Sequence, residues 1–226
     1  MHPHRGIETV TYMLAGVVHH RDSLGNSGNI GAGDVQWMTS GHGIMHEEMP
    51  KPRDGKMAGF QLWVNLPARL KMTKPRYLEV PAKRIPVIQR PDGVQIRVIA
   101  GSTDDVQGPV TDIAAAPTYL DVSLPVNISF SHSVEQSHTV FAYVFEGEGK
   151  FGIPDEEEIV FGPKLVVFRD GDHIMVRTTQ KPVRFLLVAG KPLYEPIARY
   201  GPFVMNTREE IEQALRDLRE GTFVRP

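Results

Sequence analysis

Short segments in which apolar and polar residues alternate, separated by turns, extend along most of this 226-residue chain. Residues 60–66 alternate and stop at Pro67, and residues 94–100 alternate in the same way. Side chains on a strand point alternately to opposite faces, so such runs predict β-strands. Residues 8–20 are rich in β-branched and aromatic residues, and Gly16 marks a turn within them. The alternation therefore predicts an all-β protein.

The second half of the chain repeats the pattern of the first. Residues 137–147 echo residues 7–16, and residues 162–176 echo residues 31–45. A β unit that recurs after about 130 residues predicts a protein of two tandem barrels. Residues 103–118, which are rich in Gly, Asp, Pro and Ala, are expected to connect the two halves.

A single helix is predicted near the C-terminus, over residues 207–220. Thr207 and Glu210 have the spacing of a capping box, in which each side chain bonds the other residue's backbone N–H. An apolar stripe of helical period follows, and Gly221 suits the C-terminal stop.

The composition limits the function classes. The chain is 41% hydrophobic with 21 Gly and 18 Pro, which is typical of a globular protein with many turns. A net charge of −2 argues against direct binding to nucleic acid or to an anionic membrane. No apolar run reaches the length of a membrane span, of about 20 residues, and no secretory signal precedes the first strand. We expect a cytoplasmic protein.

The chain has no Cys, so a metal would be held by His, Asp or Glu side chains. His2 and His4 are two residues apart, and His46 and Glu48 repeat this spacing on a second predicted strand. Alternate residues share one face of a strand, so each pair presents both side chains together, whereas Glu47 points away. Imidazoles with one carboxylate form a mixed N/O site that suits Fe(II), Mn, Ni, Cu or Zn.

Four segments carry a resemblance to a known family: HPHRGIETVTYMLAG, HHRDSLGNSG, GDVQWMTSGHGIMHEEMP and the C-terminal GPFVMNTREEIEQA. Together they resemble pirin, a family of the cupin superfamily. The resemblance implies two tandem cupin domains, which are jelly-roll-like β-barrels, followed by the short α-helix. We expect residues 1–110 to form a metal-bearing barrel and residues 111–226 to form a barrel without a complete metal site.

Two further expectations concern the barrels. Proteins similar to this one carry strands ahead of the HPHRG run, so we expect the first barrel here to lack part of its wall. An offset of about 130 residues places His132 at the position of His2, and His138 at that of Glu8, with no His-x-Glu to follow. The second half should therefore keep the fold without the metal.

The resemblance implies that His2, His4, His46 and Glu48 bind one divalent metal, namely Fe(II), with Zn, Mn, Ni, Cu or Co as alternatives. It also implies a dioxygenase that cleaves flavonols such as quercetin, or a related enolic or phenolic substrate, with O2. A displaced Glu48 would then act as the catalytic base. We expect a monomer.

Other hypotheses remain open at this point. The protein could be a non-enzymatic regulator that binds protein partners and uses the metal as a redox-sensitive element. A cupin isomerase or a storage-type protein would leave the pirin-like segments unexplained. Glu8 could orient a metal-binding imidazole or simply face solvent.

The remaining candidates of the first half have simpler explanations. His19 and His20 are expected to be structural or exposed, and His42 is expected to lie in a loop. We expect most of the large apolar residues near the site to be core, namely Trp37, Met38, Met45, Phe60 and Trp63.

Overall fold

A computed structural model describes residues 1–224 of the chain. It contains two compact units, the first formed by residues 1–82 together with the chain from Leu193 onward, the second by Lys83–Pro192. Strands are the main regular structure of both units, which confirms the predicted all-β class.

The first unit begins with eight strands: β1 (His2–His4), β2 (Ile7–Ala15), β3 (Val17–Asp22), β4 (Ser27–Ile30), β5 (Val35–Thr39), β6 (Ile44–Lys51), β7 (Ala58–Asn65) and β8 (Arg76–Val80). The second unit contributes β9 (Val87–Gln89), β10 (Gln95–Ala100), β11 (Ser102–Thr103), β12 (Val106–Gln107), β13 (Thr118–Leu124), β14 (Ser129–Ser133), β15 (Thr139–Phe151), β16 (Glu158–Phe161), β17 (Lys164–Val167), β18 (His173–Arg177) and β19 (Val183–Gly190). The chain then returns to the first unit with β20 (Ala198–Tyr200), β21 (Phe203–Met205) and α1 (Arg208–Glu220). Short 3-10 helices cover Ala68–Leu70 and Ala82–Arg84.

Two four-stranded antiparallel sheets make up most of the first unit. Their strand orders are β1-β6-β3-β4 and β7-β2-β5-β8. The predicted strand over residues 8–20 is divided at Gly16, whose φ of 80° is a left-handed value that glycine adopts freely. The chain therefore leaves one sheet with β2 and enters the other with β3.

The second unit is organised around a nine-stranded sheet, in which β14-β18-β15-β19-β13-β10-β9 are neighbours and β16 and β17 also pair with β15. Its core contains a cluster of buried aliphatic and aromatic side chains that includes Ile96, Leu120, Phe130 and Phe185. The pairing of β9 with β10 and of β10 with β13 places residues 87–100 in the second unit, which begins at Lys83. The boundary predicted at residues 110/111 differs from this division. It would separate β10 from β13, which are hydrogen-bonded to each other.

Helix α1 confirms the predicted C-terminal helix. The Thr207 side chain accepts a hydrogen bond from the Glu210 N–H at 3.2 Å, and the Glu210 carboxylate accepts one from the Thr207 N–H at 3.0 Å. Gly221 ends the helix in a left-handed conformation. Ile211 and Ala214 are buried and pack in one cluster with residues of β21.

Loss of the helix cap gives a modest stability prediction. Thr207→Ala is expected to lower the free energy of unfolding by about 1 kcal/mol, because it removes the oxygen that bonds the Glu210 N–H. Trp37 and Trp63, the two tryptophans of the chain, both lie in the first unit, so urea unfolding followed by tryptophan fluorescence measures the effect there. Thr207→Ser keeps the oxygen and should unfold like the wild type. Equal destabilisation by both substitutions would contradict the capping explanation.

Within residues 1–224 the structure contains no helix long and apolar enough to cross a membrane.

Candidate metal centre

Three imidazoles meet where β1 pairs with β6. The register places His2 directly opposite His46 and His4 opposite Ile44, so His4 lies one pleat further along the same face. The Nε2 atom of His2 lies 3.0 Å from Nε2 of His4 and 2.9 Å from Nε2 of His46. Each of the three side chains offers a nitrogen, and these nitrogens all lie within 4.8 Å of one another.

Burial keeps two of these imidazoles neutral. His4 is 2% exposed and His46 is 1% exposed, whereas His2 is exposed. Burial, and then the neighbouring histidines, lowers the pKa of His4 to about 4 and that of His46 to about 4. At neutral pH their ring nitrogens therefore retain the lone pairs that metal ligation needs.

The donor set fits a divalent transition metal. Each neutral imidazole has one donor nitrogen and one acceptor nitrogen. Three such rings therefore cannot satisfy all of their nitrogens by hydrogen bonds among themselves. The buried Nδ1 atom of His46 has no hydrogen-bond partner among the described residues. Three converging Nε2 atoms are the arrangement that Fe, Mn, Ni, Cu or Zn binds, with positions left for other ligands.

Glu48, the fourth predicted ligand, lies outside this group of three histidines. Its Oε1 atom accepts hydrogen bonds from Thr11 Oγ1 at 3.1 Å and from Gln61 Nε2 at 3.0 Å, and its Oε2 atom accepts one from Gln61 Nε2 at 2.8 Å. It stands two residues beyond His46 on β6 and is close enough for its charge to raise the pKa of His4. The carboxylate is thus held beside the imidazoles by β2 and β7.

The two other nearby carboxylates take different roles. Glu47 points away from the site, as predicted, and forms an exposed ion pair with Arg21, at 2.6 Å. Glu8 is buried rather than solvent-facing, and its carboxylate accepts a hydrogen bond from Thr39 at 2.7 Å. Burial raises the pKa of Glu8, and the Thr39 hydroxyl opposes this rise.

One aromatic side chain that was expected in the core instead lies beside the imidazoles. Trp63, expected in the core, is 37% exposed and packs edge-on against His4 with 5.4 Å between the ring centroids. The guanidinium of Arg199 lies 5.3 Å from the centre of the Trp63 ring. Trp37 and Met38 are buried as expected.

His20 is buried, and its Nε2 atom lies 2.9 Å from the Glu79 carboxylate. The Tyr77 ring stacks on His20 with 5.8 Å between centroids. Burial, and then the charge of Asp22, raises the pKa of Tyr77, so its phenol stays protonated at neutral pH. The histidine predicted to be structural thus belongs to a polar cluster on the strand that pairs with β6.

Buried charges fix the segment that carries His4. Arg5 follows it directly and is 1% exposed. Its guanidinium bonds the Asp217 carboxylate at 2.6 Å and the His42 carbonyl at 2.6 Å, and it lies 4.4 Å from the centre of the Phe223 ring. Helix α1 therefore anchors the first strand, a role that no local pattern along the chain indicates.

Comparisons with known proteins agree with this architecture. The pirin family model matches residues 1–64, and the model of the pirin C-terminal cupin domain matches residues 119–224. A Pseudomonas aeruginosa protein named "Putative quercetin 2,3-dioxygenase" is 44% identical over 97% of this chain and 78% of its own length. A pirin-like protein of Caulobacter vibrioides is 44% identical over 98% of this chain and 79% of its own length.

Among solved structures, the quercetin 2,3-dioxygenase of Acinetobacter baumannii superposes with a TM-score of 0.87 at 39% identity, covering 98% of this chain and 77% of that one. The strand architecture and the matched domain models define a cupin protein with tandem cupin domains and a C-terminal helix. Within that class, the chain belongs to the pirin family.

Proposed function

We propose that this protein is a metal-dependent dioxygenase of the pirin type, which cleaves flavonols such as quercetin, or related enolic or phenolic substrates, with O2. The observation that carries the proposal is the convergence of the His2, His4 and His46 Nε2 atoms beside a carboxylate. The names of the Pseudomonas and Acinetobacter relatives support the choice of substrate class.

His2, His4 and His46 would hold the divalent ion, for which we propose Fe(II). When bound, the ion would lower the pKa of a substrate hydroxyl and bring the substrate and O2 together. The protein contributes three imidazoles, of which those of His4 and His46 are buried and that of His2 is exposed. The pairing of β1 with β6 fixes their positions. Their burial excludes water from two of the three nitrogens.

Glu48 is proposed as the base that takes the proton of the substrate hydroxyl. Its carboxylate lies outside the group of three nitrogens, which favours this role over that of a permanent ligand. Gln61 donates to both of its oxygens, and Thr11 donates to one, so the carboxylate is oriented before a substrate arrives. Such orientation would present an acceptor to a bound substrate without a rearrangement of the strand.

The base hypothesis predicts a large loss of turnover without loss of metal. Glu48→Gln should lower kcat by about 10²-fold or more, since general-base catalysis contributes about 10²- to 10⁴-fold. Elemental analysis should find the same metal content as in the wild type. Flavonol loss by absorbance and O2 consumption should be measured on Fe(II)-loaded protein, with Glu47→Gln as the matched control.

The outcomes separate the hypotheses. A Glu48→Gln variant that loses both metal and turnover would make Glu48 a ligand instead of a base. A variant with full turnover would remove Glu48 from the mechanism. Wild-type protein that binds metal and consumes neither flavonol nor O2 would contradict the dioxygenase and favour the regulator hypothesis.

A further inference from the structure

The second unit contains a cavity that the metal centre does not use. Its volume is about 590 Å³, within the range of about 300–1,000 Å³ that is usual for small-molecule sites. The walls come from the segments around β11 and β12, the loop that leads into β13, and the end of β14. All of these segments belong to the second unit.

Strand register relates this cavity to the repeat. In the first unit His4 pairs with Ile44 across β1 and β6, and in the second unit His132 pairs with Ile174 across β14 and β18. By strand pairing, His132 is therefore the counterpart of His4. The sequence offset of about 130 residues instead aligned His132 with His2. The next inward position of β18 is Val176, a core residue, where β6 has His46.

The retained histidine lines the cavity. Among the described residues His132 belongs to no group of three convergent metal-ligating side chains, unlike His2, His4 and His46. His132 is buried, its Nδ1 atom lies 3.3 Å from the Thr103 hydroxyl, and its Nε2 atom has no partner among the described residues. Burial lowers the pKa of His132, and the nearby Arg90 lowers it further, so the imidazole can accept or donate a hydrogen bond.

The polar groups of the cavity favour a ligand rich in hydroxyls. Asp112 and Glu135 supply carboxylate acceptors, while His138 and Gln107 supply an imidazole and an amide. Within the described residues no Lys or Arg lines the cavity, so its wall offers no permanent positive charge to a phosphate or a carboxylate ligand. Two carboxylates at the wall would instead repel an anion.

Apolar side chains complete the wall. Val110 and Ile113 are buried and Val134 is half-buried, so the cavity also offers surface for the C–H groups of a ligand. The turn that ends at Ala116 contributes to the same wall, and Ala116 has a left-handed φ of 42°. Alanine rarely adopts this conformation, and such strain is concentrated at ligand sites, where the surroundings maintain it.

We propose that this cavity binds a neutral polyhydroxylated molecule of the sugar class, with its hydroxyls donating to Asp112 and Glu135 and accepting from Gln107. The Nε2 atom of His132 would bond a further hydroxyl at the base of the cavity. The proposal concerns the second unit alone and does not depend on the metal or on the dioxygenase activity.

Saturation-transfer NMR with D-glucose and sucrose tests the proposal, with putrescine and inorganic phosphate as a cationic and an anionic probe. We expect transfer to a sugar, and the double variant Gln107→Ala/Glu135→Gln should weaken its binding about tenfold or more, since the Gln107 hydrogen bond is lost and the charge-assisted bond to Glu135 becomes a weaker neutral one. Both positions are exposed, so the variant should fold normally. The matched control Glu156→Gln changes an exposed carboxylate outside the cavity and should bind like the wild type.

Each result decides the question. Sugar binding that the double variant weakens, and that persists in the metal-site variant His46→Ala, supports a separate site in the second unit. Absence of transfer to either sugar, equal transfer in the double variant, or binding of putrescine or phosphate in place of sugar would overturn the proposal.

Discussion

His46→Ala is expected to reduce bound divalent metal from about one ion per chain to nearly none, because a site with three protein nitrogens would lose the one ligand that comes from the second strand. His46 is 1% exposed and lies opposite His2, whose Nε2 atom is 2.9 Å from its own. Removal of this ring leaves His2 and His4 on one strand with no nitrogen from β6.

Metal content and stability should change together. In the wild type, metal at 100 times its Kd should raise the free energy of unfolding by about 2.7 kcal/mol, and EDTA should remove the increase. In His46→Ala neither added metal nor EDTA should change the free energy of unfolding. Elemental analysis and urea unfolding, followed by tryptophan fluorescence of the first unit, measure both effects.

His19→Ala is the matched control, since His19 lies on β3 outside the group of three histidines. It should retain the metal and the stabilisation. Full metal content in His46→Ala would show that the three histidines are not the binding site. Loss of metal in both variants would point to general destabilisation instead of to ligand removal.

Asp217→Ala should destabilise the first unit by about 3–5 kcal/mol, because it leaves the buried Arg5 guanidinium without its counter-charge. The Asp217 carboxylate accepts from Arg5 at 2.6 Å, and their side chains are 6% and 1% exposed. At the surface, water would replace the lost hydrogen bond to Asp217. In the buried environment of Arg5 no water does so, and the guanidinium charge stays desolvated. The segment that carries His4 should loosen with the helix.

Urea unfolding by tryptophan fluorescence measures this loss. Glu212→Ala provides the contrast on the same helix, since the Arg208–Glu212 pair is exposed and such pairs contribute about 0.5 kcal/mol or less. If Asp217→Ala lowered the free energy of unfolding by less than about 1 kcal/mol, other groups would have to stabilise the buried charge of Arg5. Weaker metal binding in Asp217→Ala at low urea would further support the anchoring of β1 by α1.

Much of the fold could be predicted from local patterns. The strand over residues 60–66 and the helix with its Thr207 cap are encoded by alternation and by capping chemistry, which involve neighbours in the sequence. The convergence of His2, His4 and His46 was predictable because spacing fixes the face of a strand.

Glu48 shows where such reasoning ends. Alternation placed it on the face of His46, yet its carboxylate bonds Thr11 and Gln61 from two other strands. No local pattern identifies those partners, because a side chain is oriented by the strands that happen to lie across the sheet. The same limit applies to Trp63, whose exposed position beside His4 depends on how β7 is placed.

By itself the sequence determined the all-β class, the duplicated unit, the C-terminal helix and the group of histidines, because each follows from a period or a spacing along the chain. Only the tertiary structure decided the pairing of His132 with Ile174, the ion pair of Arg5 with Asp217 and the contacts of Glu48. These depend on strand register and on contacts between residues far apart in sequence. The free energy of such contacts comes from burial and from satisfied polar groups, which a local pattern does not specify.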